Sequence, residues 1–418
     1  MKKNDCCCLI ICLFFSLIWL PVKLNAQNIA GCTDIHALNF NPNANSNDGS
    51  CIYPPTNYVP TFLGNFGSQL DENSGLIFWG NSLWTINDSG NDPILFQVDS
   101  SNAQIIASIW VENVSNVDWE AITQSDLFIY IGDFGNSSGD RTDLKIIRLS
   151  KTEILNRTKD TISASIIQYS YNDQTDFTSS PLQTTYDAEA LYWFNDSLYI
   201  FTKDWLNGFT KRYVLDDFSG SQIAQLKDSF HVEGMVTDAC ISEDGQKIIL
   251  LGYKDDLTVF IWMLWDFPGN EIFNGNKRKL GLDNVLMRGQ TEGICLLDSH
   301  RGFISSERFN YPQYNVNTDP QLYSFDFSQF WTSPDTTSIL EPLDVKTTLS
   351  YPNPAHNEFS FYAASDQVLV VYGINGKVLL EISVAKGVNV VDCSQWLEGI
   401  YYLKFSNQQK KQKLVKLK

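Results

Sequence analysis

Acidic side chains recur along the middle of the chain at two points of a repeated pattern of short apolar segments. The first set stands at the start of an apolar segment and consists of Glu72, Glu120, Glu189, Asp238 and Glu292. The second set stands at the end of the segment that follows and consists of Asp88, Asp133, Asp204, Asp255 and Glu307. Carboxylates gathered in one place raise each other's pKa unless a positive group lies among them. Calcium prefers carboxylate and carbonyl oxygens as ligands, so the pattern predicts calcium binding wherever the fold brings these acids together.

The segments that carry these acids have the pattern of short β-strands. Between about 58 and 331, apolar and polar residues alternate in short runs separated by Gly, Asn, Asp and Ser, without helical periodicity. Five copies of the pattern begin on average 55 residues apart, and each has room for about four strands. Units of that size and strand number are typical of β-propeller blades. The sequence therefore predicts an all-β chain with a five-bladed β-propeller over 57–331.

A spare strand predicts how the ring closes. The fifth copy has no obvious fourth strand, whereas residues 57–66 supply one ahead of the first copy. Pairing the two would complete the last blade and remove exposed sheet edges. Two alternatives stay open: a sixth blade in the 69-residue interval between Glu120 and Glu189, and a two-layer sandwich, which explains the alternation but not the recurring acids.

A propeller would bring the two acidic sets to one face. The first strand of a blade lines the central channel and the second runs antiparallel beside it, so the start of one and the end of the other lie together. Lys203, Lys254 and Arg308 are neighbours in sequence that could form internal ion pairs. The alternative is that each acid caps a turn or accepts hydrogen bonds from backbone amides of the neighbouring blade. The predicted metal ligands are Glu72, Asp88, Glu120, Asp133, Glu189, Asp204, Asp238, Glu292 and Glu307.

Several other functions are disfavoured by composition and motif. The chain has 48 acidic and 30 basic residues, a formal net charge of -18, which opposes binding to nucleic acid through long-range repulsion. No Ser or Cys has a predicted His and Asp partner, as a hydrolase triad requires. No phosphate-binding Gly loop or zinc-type Cys/His spacing is present. The tryptophans of the repeat follow strand alternation and are interpreted as packing between blades rather than as a sugar-binding surface.

The N-terminus has the features of an exported protein. Residues 1–26 combine Lys2 and Lys3, an apolar run of about 15 residues and a small-residue exit, as in a cleaved signal peptide. The run is shorter than the roughly 20 residues that span a bilayer, so no transmembrane segment is expected after processing. Residues 27–56 are rich in Asn and Asp and contain Cys32 and Cys51, which an oxidising compartment would join as a disulfide. The segment resembles the short GCTD…DGSC modules of exported Bacteroidota proteins.

The C-terminus carries a second export signal. Ser350–Ala355 reads SYPNPA, Tyr372–Lys377 reads YGINGK, Leu397–Leu403 reads LEGIYYL, and the chain ends in a lysine-rich stretch. In this order the motifs of 348–418 closely resemble the type A sorting domain of the type IX secretion system, with residues 332–347 as a linker. The resemblance implies a small β-sandwich, recognition by the type IX secretion machinery, and a secreted or outer-surface location after the tail is removed.

The repeat resembles a group of exported bacterial propellers. The motifs NDSG, DWEA, GDFGN and DAEAL make it similar to the phytase-like, esterase-like and gluconolactonase-like propellers. The resemblance implies calcium at the channel mouth, although the basic residues that phosphate substrates need are few here. The sequence leaves three functions open: a module that binds an extracellular ligand or partner, a calcium-dependent hydrolase of phosphoesters or lactones, and a structural component of the cell surface.

Overall fold

The computed structural model describes residues 28–312, 316–331, 350–351, 355–363, 365–374, 377–406 and 412–417. These residues fall into two compact units, divided after Pro334. The predicted signal peptide at 1–26 and the predicted linker at 332–347 lie outside the described residues.

A small disulfide-closed module precedes the propeller. Cys32 and Cys51 form the disulfide expected from the sequence. Strands β1 (Ala30–Gly31) and β2 (Ser46–Asn47) pair in parallel within the module. The amide of Asn47 donates to Asn276 Oδ1 at 3.0 Å, so the module is fastened to the propeller. Two further strands follow, β3 (Thr56–Asn57) and β4 (Thr61–Asn65).

Five inner strands form the centre of the propeller and confirm the predicted fold. Each inner strand contacts the next, and the last contacts the first, so the ring is closed. The inner strands are β5 (Asn73–Trp79), β9 (Trp119–Gln124), β14 (Asp187–Phe194), β18 (Met235–Ile241) and β22 (Gln290–Leu296). Two stacked sheets would not give this cyclic order of contacts, and a sixth blade has no place in the closed ring.

Each blade continues outward from its inner strand by antiparallel pairing. Blade 1 adds β6 (Ser82–Asn87), β7 (Ile94–Val98) and β8 (Ile105–Glu112). Blade 2 adds β10 (Phe128–Asp133), β11 (Lys145–Ser150) and β13 (Ser165–Tyr171). Blade 3 adds β15 (Ser197–Lys203), β16 (Phe209–Asp216) and β17 (Gly220–His231). Blade 4 adds β19 (Lys247–Tyr253), β20 (Thr258–Trp265) and β21 (Asn276–Asn284). Blade 5 adds β23 (Arg301–Glu307) and β26 (Gln321–Asp326).

The fourth strand of blade 5 comes from the start of the propeller, as predicted. Strand β4 pairs antiparallel with β26, with Thr61 opposite Ser324 and Asn65 opposite Gln321. The first and last parts of the propeller are thereby joined in one sheet. The 69-residue interval between Glu120 and Glu189, in which a sixth blade was an alternative, contains helix α1 (Lys151–Asn156) and the short strand β12 (Thr161–Ser163) instead.

The outer edges of four blades are covered by extra pairing. Strand β12 adds to β8 of blade 1, and β3 adds to β21 of blade 4, both in parallel. The outer strands of blades 2 and 3, β13 and β17, pair with each other in parallel and make one eight-stranded sheet. This cover limits edge-to-edge association, since unpaired strand edges are templates for aggregation. Helix α2 (Val285–Arg288) and the hairpin of β24 (Phe309–Tyr311) and β25 (Val316–Thr318) complete the unit.

Apolar side chains between the blades form the core. Trp119, Tyr130 and Phe201 are among the largest fully buried side chains. Their strands are buried on both faces, because each blade packs against a neighbour on either side. This packing holds the inner strands in fixed positions around the channel.

The second unit is the predicted β-sandwich. One sheet contains three strands and the other four, and Phe359, Phe361, Leu403 and Phe405 are fully buried between them. The strands are β27 (Ser350–Tyr351), β28 (Glu358–Ala363), β29 (Gln367–Gly373), β30 (Val378–Val384), β31 (Gly387–Asp392), β32 (Gly399–Phe405) and β33 (Gln412–Lys416).

Candidate functional site: an acidic channel mouth

Every inner strand carries a β-bulge near its start, and this bulge defines the true register of the blades. At the bulge, one residue of the inner strand is skipped in the pairing with the second strand. The skipped residues are Gly75, Glu120, Glu189, Thr237 and Glu292. A bulge re-aims the side chain of the extra residue. Three blades therefore present a glutamate from the same structural position, not five.

The expected common register is wrong for Glu72 and Asp238. Glu72 lies three residues before the bulge residue Gly75, is exposed, and accepts a hydrogen bond from Asn91. Asp238 lies one residue after the bulge and is fully buried. Its carboxylate accepts the backbone N–H of Ala239 at 2.8 Å and that of Ile294 at 2.7 Å. Asp238 thus joins blade 4 to blade 5, the structural role that the sequence left open as an alternative.

The second predicted set does not form a ring either, because its members occupy different positions along their strands. Glu307 pairs opposite the first residue of β22, whereas Asp88 lies one residue beyond the last pair of its blade. Asp133 is fully buried and forms ion pairs with Arg141 at 2.9 Å and Lys145 at 3.0 Å. Asp133 is therefore already neutralised by the protein's own cations.

The two remaining acids of the second set, Asp204 and Asp255, lie in turns just after their strands. Buried Asp204 accepts the backbone N–H groups of Leu206 at 2.8 Å and Asn207 at 3.1 Å, so it caps the turn after its strand. Asp255 is exposed in the turn after β19. Local turn geometry explains both positions.

Three acids do meet at the junction of blades 1 and 2. Oxygen atoms of Asp88, Asp118 and Glu120 all lie within 4.8 Å of one another, and each residue is partly buried. The amide of Asn116 donates to the carbonyl of Asp88 at 2.7 Å and fixes this loop. Gly135 packs directly on the cluster: a Cβ there would lie 2.4 Å from oxygens of both Asp118 and Glu120. The structure thus brings together two predicted ligands, Asp88 and Glu120, and adds Asp118.

Asp118 was not among the predicted ligands, although its position in the sequence is distinctive. Asp118 and Asp187 each stand two residues before a bulge glutamate, Glu120 and Glu189. In each case the residue between the aspartate and the glutamate, Trp119 or Ala188, pairs with the second strand, whereas the glutamate is skipped. An Asp-x-Glu sequence at the start of an inner strand therefore marks this position.

Other acids around the channel interact electrostatically with Asp88, Asp118 and Glu120. Burial raises the pKa of Asp118 to about 6, with the charges of Asp88 and Asp187 adding to the effect. Burial, and then the charges of Glu189 and Asp88, hold the pKa of Glu120 well above its usual range. The mouth therefore gathers acidic groups in a place where burial and neighbouring acids make the ionised form of each one costly.

Blades 3 and 5 contribute the remaining acids of the mouth. Burial raises the pKa of Glu292 to about 7, although Lys203 and Gln290 act in the opposite direction. Burial and then the charges of Glu292 and Asp88 raise the pKa of Glu307 to about 9. Buried Lys203 lies 3.1 Å from Glu189 and supplies a positive charge to this side of the mouth.

Aromatic rings of blades 3 and 4 lie beside Lys203 at the mouth. The indole N–H of Trp205 donates to Asp187 Oδ2 at 2.7 Å. The Lys203 ammonium lies 5.0 Å from the Trp205 ring centroid and 5.5 Å from that of Tyr253. Trp205 thus takes part in the polar network of the mouth, in addition to the packing role that strand alternation suggested.

Comparison with known families identifies the second unit. Residues 350–417 match the family described as a secretion system C-terminal sorting domain. The chain therefore carries a type IX secretion sorting domain, as its motifs indicated, and such a domain marks proteins that are secreted or displayed at the cell surface. No curated protein matches the sequence. In the described part of the chain, no helix has the length and hydropathy that a membrane crossing requires.

Solved structures similar to the chain match it at low identity. Hydrazine synthase of Kuenenia stuttgartiensis is 11% identical, with 66% of this chain and 65% of that chain covered and a TM-score of 0.31. PorZ, a surface component of the type IX secretion system of Porphyromonas gingivalis, is 12% identical, with 83% and 45% covered and a TM-score of 0.30. An exo-β-1,3-galactanase of Phanerochaete chrysosporium is 8% identical, with 88% and 97% covered and a TM-score of 0.36.

Proposed function

We propose that the exported propeller is a binding module whose channel mouth holds a calcium ion, and that this ion helps to bind an extracellular ligand or partner. The observation that carries the proposal is the meeting of Asp88, Asp118 and Glu120, with oxygens within 4.8 Å of one another. Burial, and then the charges of neighbouring acids, raise the pKa of Asp118 and Glu120. A divalent cation among these oxygens would offset both effects and favour the ionised carboxylates.

Coordination chemistry connects the ion to a ligand. Calcium takes six to eight oxygens in flexible geometry, whereas magnesium requires a compact octahedron. Three carboxylates leave several positions for water or for oxygens of a bound molecule. A ligand rich in hydroxyl or carboxyl oxygens would therefore have positions on the ion to occupy.

Calorimetric titration of calcium into the full processed chain tests the proposal. Replacing Asp118 or Glu120 by Asn or Gln should weaken calcium binding by about tenfold or more, since ligand charge and number set affinity at such sites. The matched control is Glu243→Gln, an exposed acid in blade 4, which should bind calcium like the wild type. Absence of calcium binding below about 1 mM, a range in which weak extracellular sites still bind, would contradict the proposal, as would equal effects of all three variants.

A calcium-dependent hydrolase of phosphoesters or lactones is the second candidate. The observation that favours it is the pair of acids with raised pKa near Asp88: Glu292, at about 7, and Glu307, at about 9. A carboxyl group that stays protonated near neutral pH can act as a general acid beside a metal ion. Turnover on a phosphoester or lactone panel that requires calcium and falls in Glu292→Gln would favour this candidate. Calcium binding without turnover would favour the binding module.

A further inference from the structure

Blades 2 and 3 begin their inner strands with the same Asp-x-Glu sequence but surround it with different groups. In both blades the glutamate is the bulge residue, Glu120 in blade 2 and Glu189 in blade 3. Glu120 lies beside the carboxylates of Asp88 and Asp118. Glu189 instead has an ammonium group beside it, since Lys203 Nζ lies 3.1 Å from Glu189 Oε1. One acidic position therefore faces acids, and its counterpart in the next blade faces a cation.

Lys203 occupies a strand position that carries a cation in blade 3 alone, among the five positions that the structure describes. It lies one residue beyond the pair that flanks the bulge in its blade. The counterparts in the other blades are Asn87, Phe134, Tyr253 and Glu307. The fold therefore accepts polar, aromatic and acidic side chains at this position, and the positive charge is a specific feature of blade 3.

The Lys203 ammonium is held inside the mouth, nearly out of contact with bulk water. The residue is 5% exposed, and burial of an uncompensated charge costs several kcal/mol. The ion pair with Glu189 offsets this cost. The rings of Trp205 and Tyr253 lie beside the charge, with centroids at 5.0 Å and 5.5 Å, and aromatic faces attract cations. An acid and two aromatic rings thus form a site for one positive charge.

Acids of other blades share this positive charge. Burial alone would lower the pKa of Lys203, but Coulombic interaction with Glu189, then with Tyr253 and Glu292, holds the pKa well above its usual range. The lysine acts in return on Glu292 and on Asp88, in each case against the effect of burial. Lys203 is therefore a common counter-ion for acids from blades 1, 3 and 5.

We propose that Lys203 takes the place of a second divalent cation, so that the mouth binds a single calcium ion, on the side where Asp88, Asp118 and Glu120 meet. A calcium ion that approached Glu189 would be repelled by the ammonium group at 3.1 Å from that acid. The inference rests on the proposed function for the single ion of the wild type, and it adds the residue that fixes the number and place of the ions.

Calorimetric titration of calcium into the full processed chain counts the ions. In Lys203→Ala the acids of blades 3 and 5 lose their counter-ion and gain the space of its side chain, so the stoichiometry should rise from one to two. Lys203→Ala combined with Glu189→Gln should return it to one, because the acid nearest the new space is then neutral. The matched control is Lys211→Ala, a lysine of the same blade that pairs with Asp173 at the same distance of 3.1 Å, and it should bind one ion.

Terbium luminescence locates the added ion, because terbium binds to oxygen ligands as calcium does and emits when a nearby indole is excited. The Trp205 ring centroid lies 5.0 Å from the Lys203 ammonium, so an ion that replaces the ammonium should be sensitised by this ring. Emission at saturating terbium should rise in Lys203→Ala and fall again when Trp205→Phe is added. Loss of a merely structural ion pair would not produce this change.

An additional calcium ion in Lys203→Ala that is lost in the double variant supports the proposal. It does so even when the wild type binds none, in which case the proposed function fails alone. The same single ion in the wild type and in Lys203→Ala overturns the proposal and leaves the proposed function standing, whereas no binding in either chain overturns both.

An additional ion in Lys211→Ala also overturns the proposal, because loss of any lysine in the blade would then have the same effect. Should Lys203→Ala unfold without metal, circular dichroism before and after addition of calcium decides. Recovery of the wild-type spectrum with calcium supports the proposal, and no recovery overturns it.

Discussion

At the residue scale, acids of similar sequence context have different roles that are set by one position along a strand. Asp238 and Glu292 both lie near the start of an inner strand, but Asp238 follows the bulge and accepts the backbone N–H of Ala239 in its own blade and that of Ile294 in blade 5. Glu292 is the bulge residue itself and reaches the mouth. A shift of one residue in a strand turns a side chain to the other face. The position of the bulge in each inner strand therefore decides which acidic side chains reach the mouth.

The raised pKa values predict how stability depends on pH. In the folded protein Asp118, Glu292 and Glu307 keep their protons at a pH where the unfolded chain has lost them. Folding then takes up protons, so the free energy of unfolding decreases as pH rises from about 5 to about 7.5. The expected decrease is limited to pH values below about 7.5 because of Lys151. Burial lowers the pKa of this lysine to about 8, and a lowered lysine pKa makes the free energy of unfolding increase with pH above that value.

Thermal melting of the metal-free chain across this range measures the effect. The melting temperature should fall with rising pH, and Glu307→Gln should reduce the fall because the substitution removes one of the groups that take up protons. Calcium should reduce it as well by stabilising the ionised acids. A melting temperature that rises from pH 5 to 7.5 would show that these acids ionise normally in the folded state.

At the element scale, two neighbouring strands near the N-terminus have different importance. Strand β3 adds two residues to the outer edge of blade 4. Strand β4 completes blade 5 and links the ends of the propeller. Loss of β3 uncovers an edge, whereas loss of β4 opens the ring.

Two truncations separate these roles. A chain that starts after residue 57 lacks the disulfide module and β3, and it should still unfold cooperatively with a modestly lower melting temperature. A chain that starts after residue 66 also lacks β4, and it should lose cooperative unfolding and aggregate, because β26 then has a free edge. Differential scanning calorimetry and light scattering measure both. Similar behaviour of the two chains would contradict a closing role for β4.

At the scale of the whole molecule, the export signal and the proposed binding site lie in separate compact units. The propeller and the sorting domain each have a hydrophobic core of their own. The two cores share no residue. Each unit should therefore fold without the other.

A chain that ends after Pro334 tests this independence. It should keep the melting transition and the calcium Kd of the propeller, while its export through the type IX system is abolished. Calorimetry on the purified chain and cell fractionation provide the two readings. A propeller that is destabilised by more than about 1 kcal/mol, beyond the usual effect of a surface change, would mean that the tail supports its fold.

The sequence by itself determined what depends on local pattern. Alternation and turn residues predicted an all-β chain with five blades, and the spare strand before Glu72 correctly predicted the closure through β4. Cys32 and Cys51 and the motifs of the tail are local as well, and both predictions are confirmed. These features are readable because a strand or a motif is specified by residues adjacent in the chain.

The tertiary structure alone decided which acids meet. Bulges at Gly75, Glu120, Glu189, Thr237 and Glu292 are set by cross-strand pairing, which spacing in the sequence does not reveal. Asp118 lies in the cluster because blade 2 faces the loop after β6. Asp133 does not lie in it, because it forms ion pairs with Arg141 and Lys145. Side-chain direction and neutralisation depend on contacts between segments far apart in the chain, and those contacts exist only once the ring is closed.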